Sequence, residues 1–367
     1  MILHLQGIHS ASEIFLKNFR SVFPEKNIVL RFHNEGNGVT VLNQEKEEQY
    51  DDIDSFARVF DFSKISVVVV YFLDFKKEVF LNKYIPKDIP IIWWMYGGDL
   101  YGPLYLKGYE LFAPQTIPYV EDKRRGIIRR IKRYINRCYK AYYSNRILKR
   151  IKGVVPCEKP DYSLACWLLG RVVDHVDIYP RDDMPQYVID NGNDICVGHS
   201  ASLSVNHLYA LDILKKVDIQ DSCVVLPLSY TIHSEEYRQS VVREYKKVFG
   251  NKVKSIFEYQ DLETYEKGFL NYKVAIYPSW RQEALGNIFI CFNLGVKVFL
   301  SCYNPCYDFF KEQGYCIYAL EDIKSSEDLS PLTQEKKELN RKIYERVKQE
   351  RAIVAPENLK VYFSRYV

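Results

Sequence analysis

The run Ile65–Leu73, ISVVVVYFL, constrains the fold more than any other stretch. Nearly every residue is β-branched or aromatic, and polar residues do not alternate with apolar ones. A strand with one wet face would alternate, so this one reads as buried on both faces of a parallel sheet. Parallel strands need crossover connections, usually helices, and the chain supplies them in a regular rhythm. MILHL at the start is a strand. Ser12–Val22 has helical spacing, with Ile14, Phe15, Phe19 and Val22 apolar, and Asn27–Phe32 is a second strand. Phe75–Tyr84 is a short helix, and Ile89–Tyr96 is a strand running into Gly97, Gly98 and Asp99. Lys123–Lys152 is helical by pattern, Gly153–Pro156 is a short strand and Pro160–Leu169 a helix.

The rhythm breaks at 178–194, IYPRDDMPQYVIDNGND, where Pro, Asp, Asn and Gly replace periodicity. This stretch reads as a linker. Beyond it strands and helices alternate again: Asp194–Gly198 then Val205–Lys216, Cys223–Tyr230 then Glu235–Phe249, Lys254–Phe257 then Leu262–Asn271, Val274–Tyr277 then Gly286–Leu294, Val296–Leu300 then Pro305–Gln313. The expectation is an α/β chain of two Rossmann-like domains, their parallel sheets facing across a cleft. The first spans 1–185 and the second 186–335. A helical segment, 336–367, returns to the first domain. A length of 367 residues suits two domains at roughly 100–200 residues each. In open α/β sheets ligands sit beyond the carboxyl ends of the strands, so the loops there are where chemistry is sought.

Composition narrows the setting. No apolar run approaches the roughly 18 residues of a membrane-spanning helix, and MILHLQGIHS lacks the charged start and long apolar core of a signal peptide. Nine cysteines are scattered without CxxC pairs. The closest two, Cys302 and Cys306, have no histidine cluster beside them, which fits reduced, buried thiols rather than zinc. The net charge of +4 conceals a strong asymmetry. Lys123–Lys152 holds 13 Lys and Arg and no acid, so the remaining 38 basic residues face 47 acidic ones. Within it Ile127, Ile128, Ile131, Tyr134 and Ile135 recur at helical spacing. The pattern is a basic amphipathic helix suited to an anionic lipid surface, with Arg129, Arg130, Lys132, Arg133 and Arg137 as contacts. The alternative is a solvated helix. Nucleic acid is disfavoured because no second basic patch or nucleic-acid motif accompanies the segment.

Four stretches carry candidate chemistry. SWRQEALGNIF (279–289) begins at the carboxyl end of a strand and enters a helix at Gly286 and Asn287. A helix start offers unpaired N–H groups and a positive dipole end to phosphate. Arg281 adds a charge-assisted contact, and Gln282 and Glu283 offer hydrogen bonds to sugar hydroxyls. CVGHSASLSVNHLYAL (196–211) holds a similar position, with Gly198 and Ala201 small, Ser200 and Ser202 able to bond phosphate oxygens, and Ser204 or Asn206 available as a helix cap. His207 either faces the cleft or is structural. Tyr230 and Tyr259 end the next two strands, where they either stack on a nucleotide base or serve the core or surface. In the first half, WWMYGGDLYGP (93–103) puts Asp99 directly after two glycines. It can act as a general base on an acceptor hydroxyl, position the acceptor, or cap the next segment. His9, after the first strand, is a second catalytic candidate.

The runs VGHSASLSVNHLYAL, VVLPLSY and RQEALGNIFICFNLGVKVFLS, with MYGGDLY in the other half, resemble the bacterial 4-acetamido-4,6-dideoxygalactosyltransferases, also described as TDP-N-acetylfucosamine:lipid II N-acetylfucosaminyltransferases. The resemblance covers about 195–320, with an anchor at 93–101. It implies a GT-B fold on the cytoplasmic face of the bacterial inner membrane. It also implies transfer of a deoxyamino sugar from a nucleotide-diphosphate donor to an undecaprenyl-diphosphate-linked oligosaccharide in surface polysaccharide synthesis. No metal or cofactor is expected, because Arg281 and the helix start stand in for a cation. His199 stands where the family more often carries asparagine. The glutamate pair spaced by eight residues in many retaining GT-B enzymes is absent, since Cys291 follows Glu283 at that distance. Two other readings use the same fold: a nucleotide-sugar 2-epimerase, which needs no membrane, and a non-catalytic, membrane-bound partner in glycan assembly.

Overall fold

The computed structural model describes residues 1–7, 11–43, 46–120, 139–180, 183–184, 187 and 191–367. Their backbone forms two compact units. The first unit takes described residues from 1–107, 139–180 and 349–367, and the second from 108–120 and 183–348.

Among the described residues the first unit is built on an eight-stranded sheet. In chain order its strands are β1 (Ile2–Gly7), β2 (Asn27–Phe32), β3 (Val39–Asn43), β4 (Lys46–Tyr50), β5 (Val67–Tyr71), β6 (Ile91–Trp94), β7 (Ile151–Val155) and β8 (Asp174–His175). Across the sheet they run β4-β3-β2-β1-β5-β6-β7-β8. The valines of β5 are fully buried between β1 and β6, as their composition demands. The antiparallel hairpin β3–β4 is the part that periodicity misses. Its outer strand, KEEQY, is largely exposed, and a charged edge strand carries no apolar signal while it protects the sheet from further pairing.

The second unit holds a parallel six-stranded sheet among the described residues: β9 (Asp194–Val197), β10 (Val224–Pro227), β11 (Val253–Ile256), β12 (Tyr272–Tyr277), β13 (Lys297–Leu300) and β14 (Ile317–Ala319). Their order is β11-β10-β9-β12-β13-β14. The chain winds outward one way from β9 and the other way from β12, so the carboxyl ends of these two strands form the switch point where such sheets leave a crevice. The loops there are 198–206 and 278–284, the two stretches singled out in the sequence.

Two boundaries differ from expectation. Residues 108–120 precede the linker yet belong to the second unit. The Asn206 side chain explains why: its Oδ1 accepts the Ala113 N–H at 2.9 Å and its Nδ2 donates to the Leu111 carbonyl at 3.1 Å. Gln115 donates to Asp212, and Tyr119 packs edge-on against Tyr237. Such contacts span about ninety residues of sequence and leave no local pattern. The last helix is Gln334–Phe363, and Pro356 sits inside it without ending it. Its residues through Lys348 belong to the second unit and those from Gln349 to the first.

In the first unit that helix is held by charge and by apolar contact. Arg351 pairs with buried Glu158 at 3.0 Å and donates to the carbonyls of Cys157 and Tyr179. Leu359 and Phe363 enter the core beside Phe19. Breaking a buried ion pair from one side costs about 3–5 kcal/mol, because the remaining charge stays desolvated. Arg351→Ala is therefore expected to lower the urea midpoint of the first unit and to raise amide exchange over 349–363. An unchanged midpoint would show that apolar packing alone holds the helix.

Candidate functional site

Glu283 is the hub of the second unit's switch point. Its carboxylate is almost fully buried and pairs with Arg281 Nη2 at 2.5 Å. It also accepts the Ser204 hydroxyl at 3.0 Å and the Ser279 hydroxyl. Ser204 belongs to the loop after β9, and Ser279 to the loop after β12, so one carboxylate stitches both loops. Burial pushes the Glu283 carboxyl up, but Arg281, His199 and the two hydroxyls outweigh it and hold it below its ordinary value. The group is ionised at neutral pH.

The surroundings keep Arg281 in place. Asn304 Nδ2 donates to the carbonyls of Ser279 at 3.2 Å and Arg281 at 2.7 Å, clamping the loop backbone. Ala284 then turns the chain through the left-handed region, φ 61°, directly before the helix Leu285–Leu294, and no side chain caps that helix. A Cβ placed on Gly286 would meet nothing within 4 Å, so the space beside the first turn is open. An uncapped helix start four residues after an oriented guanidinium is a place for an anion.

The loop after β9 is shaped by close packing. Gly198 has φ +77°, and a Cβ there would lie 2.6 Å from His207 Nε2 and 2.8 Å from Val205 Cγ1. His207 is fully buried, its Nδ1 3.3 Å from the Tyr237 hydroxyl. Burial and the neighbouring His199 push it down to about 3, against Glu283, which pulls it up. It is a neutral core histidine, and the cleft-facing option for it falls. His199 is likewise pushed down, mainly by burial.

Several other expectations change. Gln282 is buried, and its Oε1 accepts the Cys306 thiol at 3.3 Å, so it serves packing under the helix Cys306–Glu312 rather than a sugar hydroxyl. Glu283 itself is committed to Arg281 and two serines, which makes it a positioning group. Asn287 Nδ2 donates to the Tyr265 hydroxyl at 2.7 Å and ties the helix start to its neighbour. Asn206 occupies a cap position but spends its amide on residues 111–113. Ser200 is buried, and Ser202 bonds Ser204 at 2.9 Å. Tyr230 and Tyr259 are exposed after β10 and β11, outside the core. The Tyr230 carbonyl accepts the Ala201 N–H at 2.8 Å, which fixes its loop against the loop after β9.

In the first unit Asp99 is 5% exposed. Its Oδ2 accepts Leu73 N–H at 2.9 Å and Trp93 Nε1–H at 2.6 Å, and its Oδ1 accepts Tyr96 N–H at 3.0 Å. Burial raises the carboxyl while these donors pull it down. With both oxygens engaged it locks the ends of β5 and β6, so the reading of Asp99 as a general base gives way to a structural one. His9 and the basic residues Arg129, Arg130, Lys132, Arg133 and Arg137 lie outside the described residues. Among the described residues no group of three or more His, Cys, Asp or Glu converges to hold a metal ion, and no helix is long and apolar enough to cross a membrane.

Ser279 and Asn304 are the participants that sequence reasoning passed over, and Ser204, offered there as a helix cap, donates to Glu283 instead. Ser279 stood four residues before Glu283 in the quoted stretch, a spacing visible beforehand, whereas Asn304 acts across a strand and a helix. Because Gly198 needs both a positive φ and the missing Cβ, Gly198→Ala is expected to cost about 2 kcal/mol or more. Thermal unfolding of the second unit measures it, and a cost within about 0.5 kcal/mol would contradict the packing described.

Residues 181–348 match the family model described as 4-alpha-L-fucosyltransferase, glycosyl transferase group 56. The match falls on the half of the chain that carries the resemblance noted above, and supports it. No curated protein sequence matches the chain. Similar solved structures include a glycosyltransferase from Rickettsia africae, 11% identical with a TM-score of 0.56, covering 100% of this chain and 97% of that one. A UDP-forming trehalose-phosphate synthase from Burkholderia xenovorans is 7% identical with a TM-score of 0.59, covering 99% and 98%. The lipopolysaccharide outer core galactosyltransferase WaaB is 8% identical with a TM-score of 0.51, covering both chains fully. At such identities the structures establish the fold, and the family match over 181–348 supports a transferase over an epimerase or a non-catalytic partner. The chain is a glycosyltransferase with the GT-B fold, similar over residues 181–348 to the group 56 fucosyltransferases.

Proposed function

We propose that this enzyme transfers a deoxyamino sugar, from a donor like TDP-N-acetylfucosamine, to an undecaprenyl-diphosphate-linked oligosaccharide. The work belongs to bacterial surface polysaccharide synthesis, at the cytoplasmic face of the inner membrane. The observation that carries the reading is the buried Arg281–Glu283 pair beside the uncapped start of Leu285–Leu294. A leaving nucleoside diphosphate gathers negative charge as the glycosidic bond breaks. Donors already aimed at that charge stabilise the transition state without reorganising. Arg281 and the first-turn N–H groups supply them, and Glu283, held by Ser204 and Ser279, keeps the guanidinium oriented. The reaction is metal-independent in this scheme. Tyr230 and Tyr259, exposed at the next two strand ends, are placed to meet the base. The fucosyl specificity of the matched family and the lipopolysaccharide role of WaaB both favour a deoxysugar and a surface glycan. The basic segment 123–152 holds the enzyme near its lipid-linked acceptor.

The direct test is turnover of TDP-, UDP- and GDP-sugars with and without an undecaprenyl-diphosphate-linked acceptor. Product only with the lipid-linked acceptor supports the proposal, and equal turnover with a free sugar overturns it. Arg281→Lys keeps the charge opposite Glu283 but removes the planar fork. It is expected to lower kcat/KM by about 10–100-fold with little change in Tm, and full activity would remove Arg281 from the site. Changing Arg129, Arg130, Lys132 and Arg133 together to Gln is expected to release the protein from anionic vesicles in a flotation assay. Retained binding would reject the basic segment as the anchor.

A further inference from the structure

We propose that His199 is a further contact for the donor diphosphate, presenting its Nε2–H to a phosphate oxygen beside Arg281. The inference rests on the donor site proposed above. It adds a neutral hydrogen-bond donor from the loop after β9 to the guanidinium from the loop after β12.

The backbone sets the position. β9 and β12 pair directly and in parallel, so their carboxyl ends lie side by side. Gly198, the residue before His199, donates its N–H to the Ile276 carbonyl of β12 at 2.8 Å. Two residues after His199, the Ala201 N–H reaches the Tyr230 carbonyl at 2.8 Å, and the Ala201 carbonyl accepts the His233 N–H at 3.3 Å. His199 is thus carried between two anchored points, next to the strand that leads into Arg281. Burial pushes its imidazole down, Glu283 pulls it up and Arg281 pushes it down again, so the ring stands within the field of both members of the pair.

The two ring nitrogens have different surroundings. Nδ1 is sealed from solvent with no hydrogen-bond partner among the described residues. Nε2 has no protein partner there either, but it is not sealed, and the residue as a whole is only partly buried. A buried N–H without an acceptor is costly and rare, and an unused acceptor is tolerated better. The neutral ring therefore carries its proton on Nε2, the nitrogen that an incoming group can reach. Ser202 and Ser204 have spent their hydroxyls on each other and on Glu283. The His199 Nε2–H is unspent. Its neutrality suits the place: a second cation would repel Arg281 and compete with it for Glu283, whereas a neutral imidazole adds a donor without adding charge.

The experiment measures binding of TDP, UDP, GDP and inorganic pyrophosphate to the full-length protein by calorimetry, for the wild type, His199→Ala and His199→Asn. Loss of a donor to a charged oxygen in His199→Ala is expected to weaken binding of the preferred diphosphate about 10–100-fold. His199→Asn restores a neutral N–H donor and is expected to stay within about threefold of wild type. Imidazole nitrogen NMR of the wild type, with His199 assigned by the signals missing in His199→Asn, is expected to show the Nε2–H tautomer and a shift at Nε2 when the diphosphate is added. Wild-type affinity in His199→Ala would overturn the contact and leave the Arg281 site standing. Equal loss in both variants would make His199 structural and overturn it too, as would an Nδ1–H tautomer or an Nε2 signal that the diphosphate does not move. Failure of the wild type to bind any of the four probes would bring down this contact and the donor site together.

Discussion

A buried, ionised carboxylate is the constraint on which the second unit's site depends. Leaving water costs a carboxylate several kcal/mol unless partners replace its hydration. Glu283 is compensated by one guanidinium and two hydroxyls drawn from two loops. The geometry of those loops is therefore not independent. A shift of the loop after β9 removes Ser204, a shift of the loop after β12 removes Ser279, and either one leaves charge unsatisfied. Exposed ion pairs contribute little, about 0–1 kcal/mol. The burial of this pair is what turns it from a surface ornament into a fixed reference for the helix that follows.

A carboxylate gathers donors in the same way at two other strand ends. Asp99 gathers N–H groups from Leu73, Trp93 and Tyr96, and so joins the ends of β5 and β6. Glu321, after β14, accepts from Ser301, Cys302 N–H and Tyr209. Strand ends leave donors pointing beyond the sheet with no ladder partner, and a carboxyl group offers two oxygens to accept them. An acidic residue in such a loop is thus as much a demand of the fold as of the reaction. That is why the GGD turn misled: a catalytic carboxylate and a loop-locking one occupy the same place in the sequence, and only the partners distinguish them.

Most elements were legible because their signal is local. The strands β1, β2, β5, β6 and β9–β13 and the helix Glu235–Phe249 follow from apolar period and turn residues alone. The hairpin β3–β4 escaped because its edge strand is charged. Residues 108–120 were assigned to the wrong unit because Asn206, not sequence proximity, decides where they fold. At the candidate site, the sequence singled out the loops after β9 and β12 and Arg281, and the structure brings the two loops together through Glu283. Sequence reasoning offered Gln282 to a sugar hydroxyl, whereas that side chain meets Cys306, and it left unseen the bond from Asn287 to Tyr265. Polar residues in a strand-to-helix loop face either substrate or protein, and composition does not choose between them.

On the function proposed, the pairing of Arg281 with Glu283 also determines what kind of anion site the loop would make. A lone arginine would attract phosphate more strongly, but its long side chain would lose rotamer freedom on binding, at a cost of roughly 0.5–1.5 kcal/mol. Here that freedom is surrendered on folding. Burial pushes both His199 and His207 down, which limits the positive charge they add near the pair. In the proposed reaction an arriving diphosphate would therefore meet an oriented guanidinium whose charge is partly balanced. The balance weakens ground-state attraction, whereas the orientation counts fully once charge builds on the leaving group. A site of this design gives up affinity for the resting donor and keeps stabilisation for the moment of bond breaking, which is the division that raises kcat rather than merely lowering KM.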